Sequence, residues 1–157
     1  MGSPCFRRDG ASAFRHPNGR HPCDHRVAKI PGSGRRNAVK FLVISSDVIY
    51  PAGAMEDYEN NFYLPFKGFH KPIYAVPGNH EYNTKDAAGY FAYFNDTKRT
   101  GDLDKGYYST TIGKWHIIAL NSNCEAIGGC GQNSPQLAWL KKDLAASKNT
   151  CALAFWH

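Results

Sequence analysis

The sequence predicts an α/β domain with a mixed, mainly parallel sheet, flanking helices and one hairpin. Short, nearly continuous apolar runs of strand length alternate with segments whose apolar residues recur at helical spacing, which is typical of α/β folds. The chain has 157 residues, 42% of them hydrophobic and 13% aromatic. This size and composition suit one folded domain with a core. No apolar run approaches the ~20 residues that a helix needs to cross a bilayer.

The individual elements follow from local patterns. In chain order, strands are predicted at residues 39–44, 72–76, 107–112, 115–120 and 150–156, and helices at 54–64, at 86–95 and from 135 onward. The two strands at 107–112 and 115–120 are separated by Gly113-Lys114, a two-residue hairpin signal. Ser134-Pro135 begins the last helix, because Ser is a good N-cap and Pro suits the first turn. Leu137, Leu140 and Leu144 give that helix an apolar stripe.

The net charge of +6 is concentrated at the N-terminus. Residues 1–40 hold nine Lys and Arg against two Asp and Glu, whereas the remainder is nearly balanced. Because this arm is rich in Gly, Pro, Arg and His, we predict a disordered basic leader at residues 1–38 and the domain at 39–157. A basic arm can also bind nucleic acid or an anionic surface. The alternative function is therefore a non-catalytic binding module.

The five cysteines give one structural expectation. Cys124 and Cys130 bracket a Gly-containing loop that could close a small disulfide in an oxidising compartment. There is no Cys-x-x-Cys pair, so a structural zinc site is not expected. No secretory signal is visible, and the compartment stays open, although such a disulfide would be compatible with an extracytoplasmic one.

Polar side chains follow three of the predicted strands at their carboxyl ends. Asp47 and Tyr50 follow the first strand, Asn79 and His80 the second, and His157 the last. In open α/β sheets this edge is where ligands bind. Carboxylate, amide and imidazole groups form a suitable ligand set for a divalent cation. Taken singly, each residue also has a structural interpretation: a capping Asp, a packed Tyr, a turn Asn or a chain terminus.

These residues resemble motifs of a known family. Three segments are similar to motifs of the calcineurin-like metallophosphoesterases: Asp47-Val-Ile-Tyr50, Gly78-Asn79-His80-Glu81 and Ala154-Phe-Trp-His157. The Asp-x-x-Tyr form resembles the purple acid phosphatase branch. The resemblance covers roughly residues 40–157, and Gly-Asn-His-Glu is its most specific element. The fold that it implies is a partial metallophosphoesterase α/β sandwich.

The resemblance implies a hydrolase of phosphate esters that uses two metal ions, Fe, Mn or Zn. Asp47 would bridge the two ions, Tyr50 would bind one of them and Asn79 the other. His157 would be a further metal ligand. His80 would contact the phosphate and protonate the leaving oxygen, a role that suits imidazole near neutral pH.

The chain also departs from the family pattern. Ser46 stands where Gly is usual before the bridging Asp, and the first motif has no counterpart better than Asp24-His25. The last motif, Gly-His-x-His, would lie downstream of His157. We therefore expect a fragment that lacks the first and last metal-binding motifs and binds metal weakly. Nucleic acid is not the expected partner, and the oligomeric state is open.

Overall fold

The computed structural model describes residues 39–95, Gly101 and residues 104–157, together with the short strands Cys5–Phe6 and Ser12–Ala13. The leader predicted at residues 1–38, and the nucleic-acid-binding role considered for it, otherwise lie outside the described residues.

The predicted strands are all present, shortened by one to three residues. They are β3 (Leu42–Ile44), β4 (Ile73–Ala75), β5 (Tyr108–Ile112), β6 (Trp115–Ala119) and β7 (Cys151–Phe155). Two further strands, β1 (Cys5–Phe6) and β2 (Ser12–Ala13), were not predicted. The helices are α1 (Met55–Tyr58), a π-helical turn (Glu59–Tyr63), α2 (Leu64–Phe66), α3 (Ala88–Phe94) and α4 (Pro135–Ala146), with 3-10 turns at Glu81–Asn83, Lys85–Ala87 and Cys124–Ile127. No helix in the described part of the chain is long and apolar enough to cross a membrane.

The strands form two sheets. The strands β3 and β4 pair in parallel and form the smaller sheet. The larger sheet has the order β1-β2-β7-β6-β5, in which β6 and β7 are parallel. The strands β5 and β6 form the predicted antiparallel hairpin, with Gly113 at a φ of 61° in its turn. The α/β class is confirmed, but its parallel pairs lie in two sheets rather than one, and β1 and β2 join the larger sheet antiparallel.

The smaller sheet is covered on both faces, which explains its apolar sequence. In β4, Ile73 and Ala75 pack with the helical segments, in a cluster that includes Tyr58 and Tyr90. Tyr74 between them packs with the larger sheet, in a second cluster that joins Val76 to residues of β5, β6 and β7. This alternation follows from the two-residue period of a strand. The smaller sheet is thus sandwiched between the helices and the larger sheet.

The outer face of the larger sheet carries α4. The helix begins as predicted, since the Ser134 Oγ accepts a hydrogen bond of 3.2 Å from the Leu137 N–H. The predicted leucine stripe is not its buried face, because Leu144 is 44% exposed whereas Gln136 is buried. Polar contacts orient the helix instead. The Gln136 side chain exchanges two hydrogen bonds with the backbone of Asn121, at 2.8 and 3.0 Å.

Candidate metal centre

The carboxyl ends of strands from both sheets meet at one edge of the molecule. Asp47 follows β3, His80 follows β4 and His157 follows β7. The Asp47 Oδ1 atom lies 3.4 Å from His157 Nε2 and accepts a hydrogen bond of 3.1 Å from the His80 N–H. The structure therefore brings three of the predicted site residues together around one carboxylate.

Gly78 allows this close approach. A Cβ at this position would overlap the Asp47 Oδ1 atom and would lie 2.9 Å from both Asp47 Cγ and His157 Cδ2. Real Cβ atoms essentially never make contacts under 3.0 Å. Asp47 and His157 thus converge over a position that a larger residue cannot occupy without moving them.

The paired side chains fit a divalent cation. Two ligands held about 2.1 Å from a tetrahedral cation stand about 3.4 Å apart, and Asp47 Oδ1 and His157 Nε2 are 3.4 Å apart. The carboxylate has a second oxygen, Oδ2, which takes part in no hydrogen bond among the described residues. A hard oxygen and an imidazole nitrogen suit Zn, Mn or Fe.

Asn79 and Tyr50 make no hydrogen bond with Asp47 or His157. The Asn79 side chain is exposed and makes no hydrogen bond with the described part of the chain. Tyr50 is 70% exposed, and its ring lies against the imidazole of His80 with the ring centroids 4.2 Å apart. Within the ranges that the structure describes, no three His, Cys, Asp or Glu side chains cluster in a way that could hold a metal ion. The predicted set contains only two such side chains, Asp47 and His157, and takes its other donors from an amide and a phenol.

The imidazole of His80 is held by a backbone carbonyl. Its Nδ1 atom lies 2.7 Å from the Pro51 oxygen, which also accepts a hydrogen bond of 2.9 Å from the Asn83 side chain. A carbonyl oxygen can only accept, so the hydrogen resides on Nδ1 of His80. The other ring nitrogen, Nε2, is therefore the one that can give or take a proton.

Glu81 lies beneath the site with its carboxylate fully buried. Its Oε1 atom accepts hydrogen bonds from the N–H groups of Val48 and Ile49, at 2.9 and 2.7 Å. Its Oε2 atom accepts one from the Gly78 N–H at 2.7 Å. Burial raises the pKa of Glu81 above its ordinary value, although the three N–H donors act in the opposite direction.

Asn121 and Asn123, which follow β6, form hydrogen bonds to the loop after β4. The buried Asn121 amide donates to the Tyr82 hydroxyl and the Lys105 carbonyl, both at 2.8 Å. The Asn123 side chain donates to the Pro77 carbonyl at 3.1 Å and is 3.4 Å from that of Gly78. Sequence reasoning missed these two residues, although the rule that polar residues collect at strand carboxyl ends also applies to β6.

A disulfide bond begins at the residue directly after Asn123. Cys124 and Cys130 are bonded, with an S–S distance of 2.14 Å and six residues of separation. The bridge closes the 3-10 turn that begins immediately after Asn123. Cys151, in β7, is also disulfide-bonded. The covalent bridge therefore fixes the segment from which Asn123 reaches the Pro77 carbonyl.

The arrangement defines a class of protein: an α/β sandwich whose strand ends present oxygen and nitrogen donors to a cation. Residues 20–157 match the sequence model of the calcineurin-like phosphoesterases, and the chain belongs to this family. Members are metal-dependent hydrolases of phosphate esters and generally use two metal ions. The match extends into the segment that the sequence predicted to be a leader. No curated protein and no solved structure gave a match.

Proposed function

We propose that this chain is a phosphoesterase of the purple acid phosphatase-like branch, in which Asp47 would be a ligand of both cations. Tyr50 and Asn79 would each hold one cation, and His157 would be a further ligand. The observation that carries the proposal is the convergence of Asp47 and His157 over Gly78, with their donor atoms 3.4 Å apart. When bound, the cations would lower the pKa of water and neutralise charge on the phosphate oxygens.

The side chains of the protein have separate tasks in this proposal. As the imidazolium, His80 would donate a proton to the leaving oxygen from Nε2 and keep its Nδ1 hydrogen on the Pro51 carbonyl. The His80 N–H also donates to Asp47 and so fixes the orientation of the carboxylate. Asn79 directly precedes His80, and its exposed side chain would offer an amide oxygen to a cation. The phosphate ester would bind over this edge, between His80 and the metal ligands.

The first experiment measures metal binding and turnover. Calorimetric titration with Mn²⁺ and Zn²⁺ and hydrolysis of p-nitrophenyl phosphate are compared for the wild type, Asp47→Asn and Asp143→Asn. Asp143 is a matched control, since it too is a hydrogen-bonded carboxylate, but it contacts His116 at the other end of the sheet. We expect Asp47→Asn alone to abolish binding and turnover. Equal binding by Asp47→Asn and the wild type would refute the proposed centre.

The role of His80 can be tested with leaving groups. An acid matters most when the leaving oxygen is strongly basic, and general acid catalysis contributes about 10²–10⁴-fold. We therefore expect His80→Ala to slow hydrolysis of an alkyl phosphate by that factor and to slow hydrolysis of p-nitrophenyl phosphate much less. A loss of equal size on both substrates would show that His80 is not the proton donor.

The branch assignment depends on Tyr50. A phenolate bound to Fe³⁺ absorbs visible light, so we expect a coloured complex from the wild type after addition of Fe³⁺ and none from Tyr50→Phe. His70, an exposed residue away from the edge, provides the control variant His70→Ala, which should keep the colour. An unchanged spectrum in Tyr50→Phe would place the chain outside this branch.

We also propose that residues 39–157 supply only part of the family's ligand set. Asp47 and His157 are the two charged or imidazole donors that meet here, and a site with few ligands leaves the charge of a second cation uncompensated. Titration of the 157-residue chain should therefore give weak binding of the two cations. Two tightly bound cations per chain would refute this part of the proposal.

A further inference from the structure

Glu81 connects the two loops that carry the proposed metal ligands. One oxygen of its carboxylate binds the backbone of the loop after β3, at Val48 and Ile49, and the other binds the loop after β4, at Gly78. These three distances lie between 2.7 and 2.9 Å, and the side chain is fully buried. Hydrogen bonds to a charged acceptor are about twice as strong as neutral ones.

The two oxygens of the Glu81 carboxylate bind different loops, and this matters more than the number of hydrogen bonds. The loop after β3 contains Asp47 and Tyr50, and the loop after β4 contains Asn79 and His80. A carboxylate placed between two strand ends, with one oxygen for each loop, fixes the distance between the loops. A second link, from the His80 N–H to Asp47 Oδ1, is 3.1 Å long and only partly buried.

We propose that Glu81 is a positioning residue that locks the two ligand loops into a single arrangement and so sets their affinity for a cation. This role rests on the proposed function for its effect on metal binding, whereas the locking of the loops does not depend on it. Glu81 itself contacts neither the cation nor the substrate in this proposal.

The variant Glu81→Gln tests the two sets of hydrogen bonds separately: those to the loop after β3 and the one to the loop after β4. The side chain keeps its shape, and its one remaining oxygen can still accept from Val48 and Ile49. The amide NH₂ group then faces the Gly78 N–H, so two donors oppose each other. The loop after β4 is released while the loop after β3 stays bound. Asp143→Asn is again the matched control, because the Asp143 carboxylate also accepts two hydrogen bonds, both of 2.6 Å, from Ser109 and His116.

Two measurements are made on each variant: amide hydrogen exchange by NMR and calorimetric titration with Mn²⁺ and Zn²⁺. In Glu81→Gln we expect the exchange of the Gly78 amide to rise about tenfold or more, with little change at Val48 and Ile49. Metal affinity should fall about 10- to 100-fold, the usual cost of losing a group that orients metal ligands. Asp143→Asn should change neither quantity.

The outcomes separate this proposal from the proposed function. Unchanged exchange at Gly78 would overturn the lock, and raised exchange with unchanged metal affinity would overturn its positioning role. If the wild type binds no metal, the proposed function fails, and the exchange data still decide whether Glu81 joins the loops. If Glu81→Gln does not fold, the wild type decides: the amides of Gly78, Val48 and Ile49 should open together with equal protection. Unequal protection would overturn the lock.

Discussion

The substitution Gly78→Ala tests the convergence of the site most directly. The added Cβ would overlap Asp47 Oδ1 and would lie 2.9 Å from Asp47 Cγ and His157 Cδ2, whereas ordinary contacts begin at 3.4 Å. Both side chains must therefore move by at least about half an ångström, which is the tolerance within which functional groups have to be held. Overpacking of this kind costs about 1–3 kcal/mol of stability. A displacement of about 1 Å lowers a catalytic rate about 100-fold.

The assay compares Gly78→Ala with Gly68→Ala. A Cβ at Gly68 would meet no atom within 4 Å, and this glycine has no positive φ. We expect Gly78→Ala to weaken Mn²⁺ or Zn²⁺ binding at least tenfold and to slow p-nitrophenyl phosphate hydrolysis about 100-fold. The control should keep its affinity and its rate, with a stability within about 0.5 kcal/mol of the wild type. If both variants bind metal equally well, Asp47 and His157 do not meet over Gly78, and the reasoning fails.

Three further predictions concern stability, each measured by urea denaturation. Tyr58→Phe should stabilise the fold by about 1 kcal/mol, because the buried Tyr58 hydroxyl has no hydrogen-bond partner within the described part of the chain. Tyr90→Phe, which loses a bond of 2.9 Å to the Ala75 carbonyl, should destabilise it, and a loss in both variants would contradict the argument. Burial raises the pKa of Tyr58 and Tyr90 above 10.0, so their contribution to the free energy of unfolding is present below pH 10 and is lost as the pH rises further, by up to about 1.4 kcal/mol per pH unit for each tyrosine. The stability of the variant Tyr58→Phe should decline less steeply with pH than that of the wild type, and an identical slope would argue against the pKa shift. Ser134→Ala should cost about 1 kcal/mol, since it removes the N-cap bond to Leu137, whereas an exposed variant such as Gln132→Ala should be neutral.

Local patterns predicted the elements well wherever the elements form independently of distant contacts. In the helix predicted at 86–95, the apolar residues Ala87, Tyr90, Phe91 and Phe94 are all buried, although α3 itself begins at Ala88. In the helix predicted at 54–64, Tyr58 and Phe62 are buried, whereas Met55 and Leu64 are exposed. A π-helical turn at Glu59–Tyr63 interrupts this helix, and because it holds more residues than an α-helical turn, it rotates Leu64 off the predicted face. The division into two sheets depends on long-range strand pairing, which no local pattern encodes.

The site was partly predictable for a similar reason. The rule that ligands collect at strand carboxyl ends identified Asp47, His80 and His157, and the structure brings them together. The groups that hold them could not be found in this way, because they act on the backbone. The Pro51 carbonyl that fixes His80 carries no side-chain signal at all. Glu81 belongs to the Gly-Asn-His-Glu motif, but only the structure shows that its two carboxylate oxygens bind two different loops.

The residues that hold the proposed metal-binding loops suggest what limits the affinity of the site for a cation. Glu81 and Asn123 hold the loops through backbone groups, and neither is among the proposed metal ligands. The loops are therefore ordered by bonds that do not need a cation, and binding one requires little rearrangement. The proposed set of metal ligands carries little negative charge, since Asp47 is its one carboxylate. A centre that is preorganised but weakly charged should gain affinity from added donors and little from further stabilisation of its loops. This predicts that Asn79→Asp strengthens metal binding, whereas a stabilising change in the core cluster that contains Ile49, such as Tyr58→Phe, leaves it unchanged.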